Sequence, residues 1–251
     1  MILTADIGNS TIKTGFFEDG KLIKSFHMGT NIKRTGDEYV ATLLQLMEYA
    51  GIEISKVKGI AVSCDVPQLD YTFTVALTKA FGVKPITVGF GTRTGLLCKI
   101  DNIGSNRIIN CTAALKQYGA PFILVDFGTL NTFSVVNEQG ELAGGAITLG
   151  IKSTLEGIGA IPNMACADIK NLPNVVAQST VQSIQSGVIF GTVGQVKYIV
   201  EQIKIQMNLT DAKTIATGGL ADTVSEIEPL FDCVDKELPL KGLYEIYKLN
   251  S

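Results

Sequence analysis

The sequence lacks an excess of positive charge and lacks any long apolar run. Its 21 Lys and Arg residues are outnumbered by 24 Asp and Glu residues. Because a surface that binds a nucleic-acid backbone needs clustered basic residues, nucleic acid is not expected as a partner. No apolar run approaches the ~20 residues of a membrane span, and the first residues, which include Asp6, lack the charged start of a signal peptide. The protein is therefore expected to be cytoplasmic, without a membrane partner.

Histidine and paired cysteines are also scarce. The single histidine, His27, excludes two-histidine metal chemistry and argues against Ser-His catalysis. The five cysteines are odd in number and widely spaced, and no Cys-x-x-Cys pair occurs among them. Neither a disulfide framework nor a zinc site is predicted, and the cysteines are expected to be buried thiols.

Strand and helix patterns alternate along the 251 residues, which predicts an α/β fold with two domains. The first strand, ILTADIG, is followed by a hairpin that turns at Glu18, Asp19 and Gly20. A helix is predicted in DEYVATLLQLMEYA, a strand in KGIAVSC and a second helix after Pro67.

An internal repeat connects the two halves of the chain. Four residues recur with a shared offset of 120 positions: Asp6, Gly8, Gly20 and Leu22 become Asp126, Gly128, Gly140 and Leu142. In both halves they fall on a strand, a turn and a hairpin, which predicts duplicated domains. The predicted domains are residues 1–118 and 119–251, since Gly119 and Pro121 interrupt the preceding helix.

Three short segments are suited to phosphate chemistry. DIGNST, residues 6–11, supplies a carboxylate, a glycine and neutral donors for Mg²⁺ and phosphate oxygens, and DFGTLNT, residues 126–132, repeats the arrangement. If the two strand ends face each other, they form a cleft for phosphates. TGGLA, residues 217–221, follows a predicted strand, and its glycines suit either a nucleotide lying on the backbone or an ordinary strand-to-helix turn.

A long helix is predicted over STVQSIQSGVIFGTVGQVKYIVEQIKIQM, with Gly187, Gly191 and Gly194 along one side. Because glycine weakens a helix, this side is expected to pack closely against another backbone, either within the fold or across a dimer.

The sequence resembles the type III pantothenate kinases, members of the superfamily of acetate kinase, sugar kinases, Hsp70 and actin. The resemblance runs nearly end to end and rests on DIGNST, DVPQL, GSNRIINCTAAL, VDFGTLNTF, GGAITLGI, STVQSIQSGVIFG, ATGGLA and LPLKGL. It implies two duplicated ribonuclease H-like domains, an actin-like ATPase core with an interdomain cleft, and a homodimer. It also implies that ATP, Mg²⁺ and a monovalent cation, K⁺ or NH₄⁺, support phosphorylation of pantothenate in coenzyme A biosynthesis.

The resemblance also implies roles for individual residues. Asp6 would act on the Mg²⁺ side, and Asp126 would help to hold the monovalent cation. The remaining residues implied to contact nucleotide are Gly8, Asn9 and Ser10 in a first phosphate loop, Gly128, Thr129 and Thr132 in a second, and Gly218 and Gly219 in a nucleotide turn. Gly104 and Arg107 match the pantothenate-binding motif, and Thr180 would reach the substrate from the partner subunit.

The departures from the family pattern cluster where the acceptor binds. The family's Gly-x-Asp-Arg is GSNR here, so the position of the general base holds Asn106, an amide that cannot accept a proton at neutral pH. The preceding substrate segment is about three residues shorter, Ile100 stands in place of a tyrosine, and Asn131 stands where a threonine is usual.

Three functions remain open at this point. The chain is a pantothenate kinase with impaired base catalysis or with a different base, for which Asp101 is a candidate. Alternatively, it is a nucleotide-binding protein with a regulatory role, or a kinase for another small hydroxylated acid. Phosphoryl transfer relies more on positioning and charge than on deprotonation, so turnover without the usual base is physically feasible.

Overall fold

The computed structural model describes residues 1–89, 91–98, 100, 103–170 and 174–251. The chain divides into two compact units. Unit 1 comprises Met1–Leu96, Asp101–Gln117 and Glu237–Ser251, and unit 2 comprises Leu97–Ile100 and Tyr118–Lys236.

Strands and helices alternate in both units, as the sequence predicts. The strands are β1 (Ile2–Ile7), β2 (Thr11–Glu18), β3 (Lys21–Gly29), β4 (Gly59–Cys64), β5 (Ile86–Thr87), β6 (Leu97–Cys98), β7 (Phe122–Phe127), β8 (Leu130–Val136), β9 (Glu141–Leu149), β10 (Lys213–Gly218) and β11 (Cys233–Val234). The helices are α1 (Gly36–Tyr49), α2 (Pro67–Phe81), α3 (Ser105–Tyr118), α4 (Ile151–Gly159), α5 (Thr180–Met207), α6 (Ala221–Ile227) and α7 (Leu238–Asn250).

Unit 1 is built on a five-stranded sheet in the order β3-β2-β1-β4-β5. The strands β1, β2 and β3 pair antiparallel, whereas β4 lies parallel to β1. Successive residues of β4 point to opposite faces of the sheet. Ile60 and Val62 join one core with side chains of α1 and α2, while Ala61 joins a second core with Ile109 of α3 and Leu243 of α7. Helices therefore cover both faces of this sheet.

The helix α7 belongs to unit 1, although it is the last element of the described chain. Leu243 and Ile246 are fully buried, and Tyr244 stacks on Phe17 of β2 with ring centroids 4.5 Å apart. Each predicted domain, 1–118 and 119–251, is one continuous segment, whereas each observed unit is made of two or three separate segments of the chain. The physical reason is that the apolar face of α7 packs against β1 and β4.

Unit 2 repeats the topology of unit 1. Its sheet has the order β11-β10-β7-β8-β9-β6, in which β7, β8 and β9 pair antiparallel and β10 lies parallel to β7. Each hairpin carries a register irregularity at an equivalent place, between Phe16 and Phe17 in unit 1 and between Val135 and Val136 in unit 2. The repeat predicted from four residues is thus a repeat of strand order, strand direction and bulge position.

The two repeats differ in the lengths of their loops, and the differences cancel. Four residues separate the pair Ile7 and Ile12 in unit 1, whereas three separate the equivalent pair Phe127 and Asn131 in unit 2. The following hairpin turn is one residue longer in unit 2, because Phe17 pairs with Leu22 but Val136 pairs with Leu142. The offset of 120 positions is restored at this turn.

The cysteines do not all follow the expectation of burial. Cys111 is buried, but Cys98 and Cys166 are exposed, so the expectation is wrong for these two residues. None of the helices in the described part of the chain combines the length and the apolar character that a bilayer crossing needs.

Candidate active site

The first glycine loop, residues 8–10, connects β1 to β2 and is held by hydrogen bonds to Thr30. The Thr30 hydroxyl donates to the Gly8 carbonyl oxygen at 2.7 Å. The Thr30 backbone N–H donates to the Ser10 carbonyl oxygen at 3.1 Å. Asn9 and Ser10 are exposed at the tip of this fixed loop. Their backbone and side-chain donors are thus presented outward, which is the arrangement that anionic oxygens need.

The second glycine loop, residues 128–129, is held in an equivalent way by the residue 120 positions after Thr30. The backbone N–H of Gly150 donates to the Thr129 carbonyl oxygen at 3.0 Å, and the Ser153 hydroxyl donates to the same oxygen at 2.9 Å. A Cβ at position 150 would overlap the Gly128 carbonyl oxygen and lie 2.7 Å from the Thr129 carbonyl oxygen. Position 150 therefore requires glycine because of this close approach.

Two further predicted positions, Asn131 and Thr132, lie at the start of β8. The Asn131 amide, which is 1% exposed, donates to the Leu149 carbonyl oxygen at 3.4 Å. Thr132 is the partner of Asp126 across the β7–β8 ladder. The asparagine that departs from the family pattern thus contributes to the loop scaffold.

The structure brings Asp126 together with the predicted nucleotide turn. β10 runs parallel to β7, so Thr217 lies beside Asp126 and Gly218 beside Phe127. Gly218 has a φ of 96°, and a Cβ there would lie 2.6 Å from Asp126 Oδ1. Both the backbone conformation and the proximity of the carboxylate exclude a side chain at this position.

Asp6 lies at the carboxyl end of β1 and is 5% exposed. It pairs in register with Lys13 of β2 and immediately precedes the first glycine loop. In the described part of the chain, His, Cys, Asp and Glu residues form no group of three or more that could hold a metal ion. Mg²⁺ does not need such a group, since it is usually held by one or two carboxylates together with phosphates and water. Asp6 beside the first glycine loop fits this mode of binding.

The GSNR segment forms the start of α3. Gly104 is exposed, and its carbonyl oxygen accepts from the Arg107 backbone N–H at 3.1 Å. The Asn106 side-chain oxygen accepts a hydrogen bond from the Asn110 amide, one helical turn later, at 3.2 Å. The amide at the expected base position is therefore tied into its own helix.

Asp65 is a carboxylate in this region that the sequence analysis does not assign. The Ser105 hydroxyl donates to Asp65 Oδ1 at 2.7 Å and accepts from the Ser63 hydroxyl at 2.9 Å. Apart from the residues next to Gly104 in the chain, the described atom nearest to a Cβ built there is also Asp65 Oδ1, at 4.0 Å. The signal that could have found it is its place directly after a buried strand, since ligands of α/β folds gather at the carboxyl ends of parallel strands.

The electrostatics of this strand end are negative. Burial raises the pKa of the Cys64 thiol to about 11, and the charges of Asp70, Asp65 and Asp6 add to the increase. Cys64 is therefore protonated at neutral pH and is not an activated nucleophile.

The sequence-predicted site residues are distributed over both units. Unit 1 carries Asp6, Gly8, Asn9, Ser10, Gly104, Asn106 and Arg107; unit 2 carries Asp126, Gly128, Thr129, Thr132, Thr180, Gly218 and Gly219. Thr180 is the exposed first residue of α5, directly after the capping residue Ser179. Asp101, the candidate for a relocated base, lies outside the described residues.

Comparison with known proteins identifies both a family and a fold. The model of the family described as type III pantothenate kinase matches residues 2–202. A solved Campylobacter jejuni protein named for the Baf family of transcriptional activators shares 20% identity, with a TM-score of 0.62 over 99% of this chain and 98% of that one. An inorganic polyphosphate/ATP-glucomannokinase from Arthrobacter sp. strain KM shares 14% identity, with a TM-score of 0.55 over 100% and 99%. The predicted fold class is confirmed as α/β with two sheets and the fold of actin-like sugar kinases.

Proposed function

Because the chain belongs to the type III pantothenate kinase family, we propose that it transfers the γ-phosphoryl group of ATP to pantothenate, in coenzyme A biosynthesis. The observation that carries the proposal is the pair of glycine loops, each held by an equivalent backbone hydrogen bond, from Thr30 to Ser10 and from Gly150 to Thr129. Loops held in this way present donors to phosphate oxygens without reorganisation, which is what phosphoryl transfer requires of a protein.

On the nucleotide side, Asp6 would hold Mg²⁺ and Asp126 the monovalent cation. When bound, Mg²⁺ neutralises charge on the phosphate oxygens during transfer. The first loop, with Gly8, Asn9 and Ser10, would contact phosphate oxygens. The second loop would do the same through Gly128, Thr129 and Thr132, and the turn at Gly218 and Gly219 would support the nucleotide.

On the acceptor side, Gly104 and Arg107 would bind pantothenate. The Arg107 guanidinium suits the carboxylate of pantothenate, since its planar set of donors matches a carboxylate in two parallel hydrogen bonds. Gly104 is exposed and has no side chain, so it leaves space for a ligand at the start of α3.

The proposal includes a homodimer in which Thr180 reaches the substrate of the neighbouring subunit. Gly187, Gly191 and Gly194 are exposed on α5, and a Cβ built on any of them would meet no described atom within 4 Å apart from the adjoining residues and backbone of α5 itself. Among the described residues, the glycine-lined side of α5 therefore does not pack closely against another part of the same chain. Tyr198 and Ile205 extend the same helix face and are 64% and 60% exposed, respectively. A second copy would cover this face.

A second candidate, nucleotide binding without turnover, is favoured by one observation: the amide of Asn106 is engaged by Asn110 and offers no base. Release of ADP from ATP separates the two functions when it is measured with pantothenate and with a panel of other small hydroxylated acids. We expect ADP release that depends on pantothenate, in the presence of Mg²⁺ and of K⁺ or NH₄⁺. ADP release with a different acid alone would identify another kinase, and none with any acceptor would support the regulatory role.

A further inference from the structure

A kinase that acts on a hydroxyl group benefits from a carboxylate that takes up the proton, and residue 106 does not supply one. A positioned base contributes ~10²–10⁴-fold to a rate. The Asn106 oxygen accepts from Asn110, so this side chain holds its own helix and not a proton. A carboxylate that reaches the start of α3 belongs to Asp65, whose Oδ1 accepts a hydrogen bond from the Ser105 hydroxyl at 2.7 Å.

Asp65 is fixed at the carboxyl end of two neighbouring strands. It directly follows β4, and its backbone N–H donates to the Ile7 carbonyl oxygen, the last of β1, at 2.9 Å. The first glycine loop starts at the next residue, Gly8. Asp65 thus stands between the backbone that leads into the phosphate loop and the helix that carries the acceptor motif.

The side chain of Asp65 is oriented by two serines. Ser63 donates to Ser105, and Ser105 donates to Asp65 Oδ1 at 2.7 Å. A carboxylate has two acceptor oxygens, so this relay holds one of them and sets the direction of the other. The side chain is partly exposed beside Gly104, where a small acceptor would enter.

We propose that Asp65 is the catalytic base of this kinase and has taken over the role that residue 106 does not fill. The proposal relies on the proposed function for ATP and for a hydroxyl acceptor. The hydroxyl oxygen attacks the γ-phosphorus, its proton passes to Asp65 Oδ2, and the bond from the γ-phosphorus to the bridging oxygen breaks to release ADP. The proton then leaves to solvent.

The decisive experiment compares the natural chain with Asp65→Asn, Asn106→Asp and the double variant in steady-state ADP release with ATP and pantothenate. Asp65→Asn should lower kcat by ~10²–10⁴-fold, with the KM for ATP nearly unchanged. Asn106→Asp alone should change kcat by less than about tenfold, since a base is already present. In the double variant, Asn106→Asp should restore most of the lost activity, because an aspartate at 106 still accepts from Asn110 and supplies a carboxylate.

Two controls keep the result interpretable. Asp70→Asn removes a neighbouring charge, and we expect kcat within about twofold of the natural chain, far less than the loss of a base. Asp65→Ser also removes the carboxylate but with a shorter side chain, so it should lose as much activity as Asp65→Asn if the loss comes from the missing base. ATP affinity by calorimetry reports whether each variant keeps its nucleotide site.

The remaining outcomes distinguish failure of the assignment of Asp65 as the base from failure of the assignment of pantothenate as the substrate. Full activity in Asp65→Asn, or a loss only in Asp101→Asn, refutes Asp65 as the base while the kinase function stands. A ~10²–10⁴-fold gain from Asn106→Asp in the otherwise natural chain also refutes it, because the site then had no base. Loss without rescue in the double variant assigns Asp65 a structural role. If another acid is phosphorylated and Asp65→Asn abolishes that turnover, Asp65 is supported as the base and pantothenate is refuted as the substrate. If no acceptor is phosphorylated, both Asp65 as the base and pantothenate as the substrate are refuted.

Discussion

Asp6 is buried to 95% at a strand end, and a carboxylate in such a place is costly unless a positive group or hydrogen bonds compensate for it. Lys13 is its neighbour across the β1–β2 ladder. A divalent ion beside Asp6 would compensate further, and the exposed loop residues Asn9 and Ser10 leave that side open to a ligand. The charge of this single residue is therefore expected to determine how strongly the protein distinguishes MgATP from free ATP.

Asp6→Asn should weaken Mg²⁺-dependent ATP binding by ~10-fold or more, since loss of even an outer partner of a metal ligand costs ~10–100-fold. The amide retains the size of the side chain but removes the negative charge. Calorimetric titration of ATP with Mg²⁺ measures the effect, and the same titration with EDTA is the control, where natural and variant proteins should bind alike. An unchanged Mg²⁺-dependent affinity would mean that Asp6 does not serve the metal.

At the scale of elements, the two hairpins show how one structural device is built from different residues. In unit 1 the side chain of Thr30 donates to the loop. In unit 2 the equivalent position, Gly150, has no side chain, the loop backbone passes directly over it, and the Ser153 hydroxyl donates to the loop instead. The backbone hydrogen bond is shared by both repeats, so it is the part that the duplication preserves.

Gly150→Ala should displace the second glycine loop, because the new methyl group would overlap the Gly128 carbonyl oxygen. Overpacking of this kind costs ~1–3 kcal/mol. We expect a lower melting temperature and weaker ATP binding, measured by thermal unfolding and by calorimetry. Gly157→Ala is the matched control on α4, where a Cβ meets no described atom within 4 Å apart from the adjoining residues and backbone of the helix itself.

The control should be as stable as the natural chain or up to ~1 kcal/mol more stable, since alanine is favoured over glycine inside a helix. Equal stability and equal ATP affinity in Gly150→Ala and Gly157→Ala would contradict the close approach at position 150.

The sequence predicts the secondary-structure elements well, but it predicts poorly which elements lie beside each other. Periodicity locates β1, α1, β4 and α5, and the repeated Asp and Gly residues locate both glycine loops, because these signals are local. Asp65 was missed because the role proposed for it depends on β4 lying beside β1, a pairing between segments more than 50 residues apart. The exposed Cys98 and Cys166 were missed for a related reason, since residue type alone does not fix burial.

At the scale of the whole molecule, the exposed face of α5 concerns assembly. Three exposed glycines, followed by the exposed Tyr198 and Ile205, lie on this face, and the absence of side chains at the glycines would let a second α5 approach closely. Obligate homodimers bury apolar surface of this kind and use the same patch on both subunits. The proposed contribution of Thr180 across the interface would make catalysis depend on dimerisation.

Gly191→Arg should raise the dimer dissociation constant by ~30-fold or more, because burying an unpaired charge at an interface costs ~2 kcal/mol or more. Pantothenate turnover should fall in parallel as the protein dissociates. Sedimentation velocity over a range of concentrations measures the first effect. Gly157→Arg introduces the same side chain at an exposed glycine of α4 and should leave the dimer intact.

A natural chain that sediments as a stable monomer while binding ATP and pantothenate undiminished would refute the dimer. In that case the glycines of α5 would need a different explanation, and Thr180 would have no role in the site.

The placement of α7 also has a consequence for biosynthesis. Ribosomes synthesise the chain from its amino end, and domains nearer that end generally fold first. Here β1 to β5 emerge early, but one face of their sheet is completed by Leu243 and Ile246. The ribosome must therefore synthesise α7 before the core of unit 1 can be completed. By that time, residues Tyr118–Lys236 of unit 2 have already emerged. The first strands to be synthesised are among the last to be covered, so a nascent chain stalled before residue 238 would carry an open apolar face that chaperones can recognise.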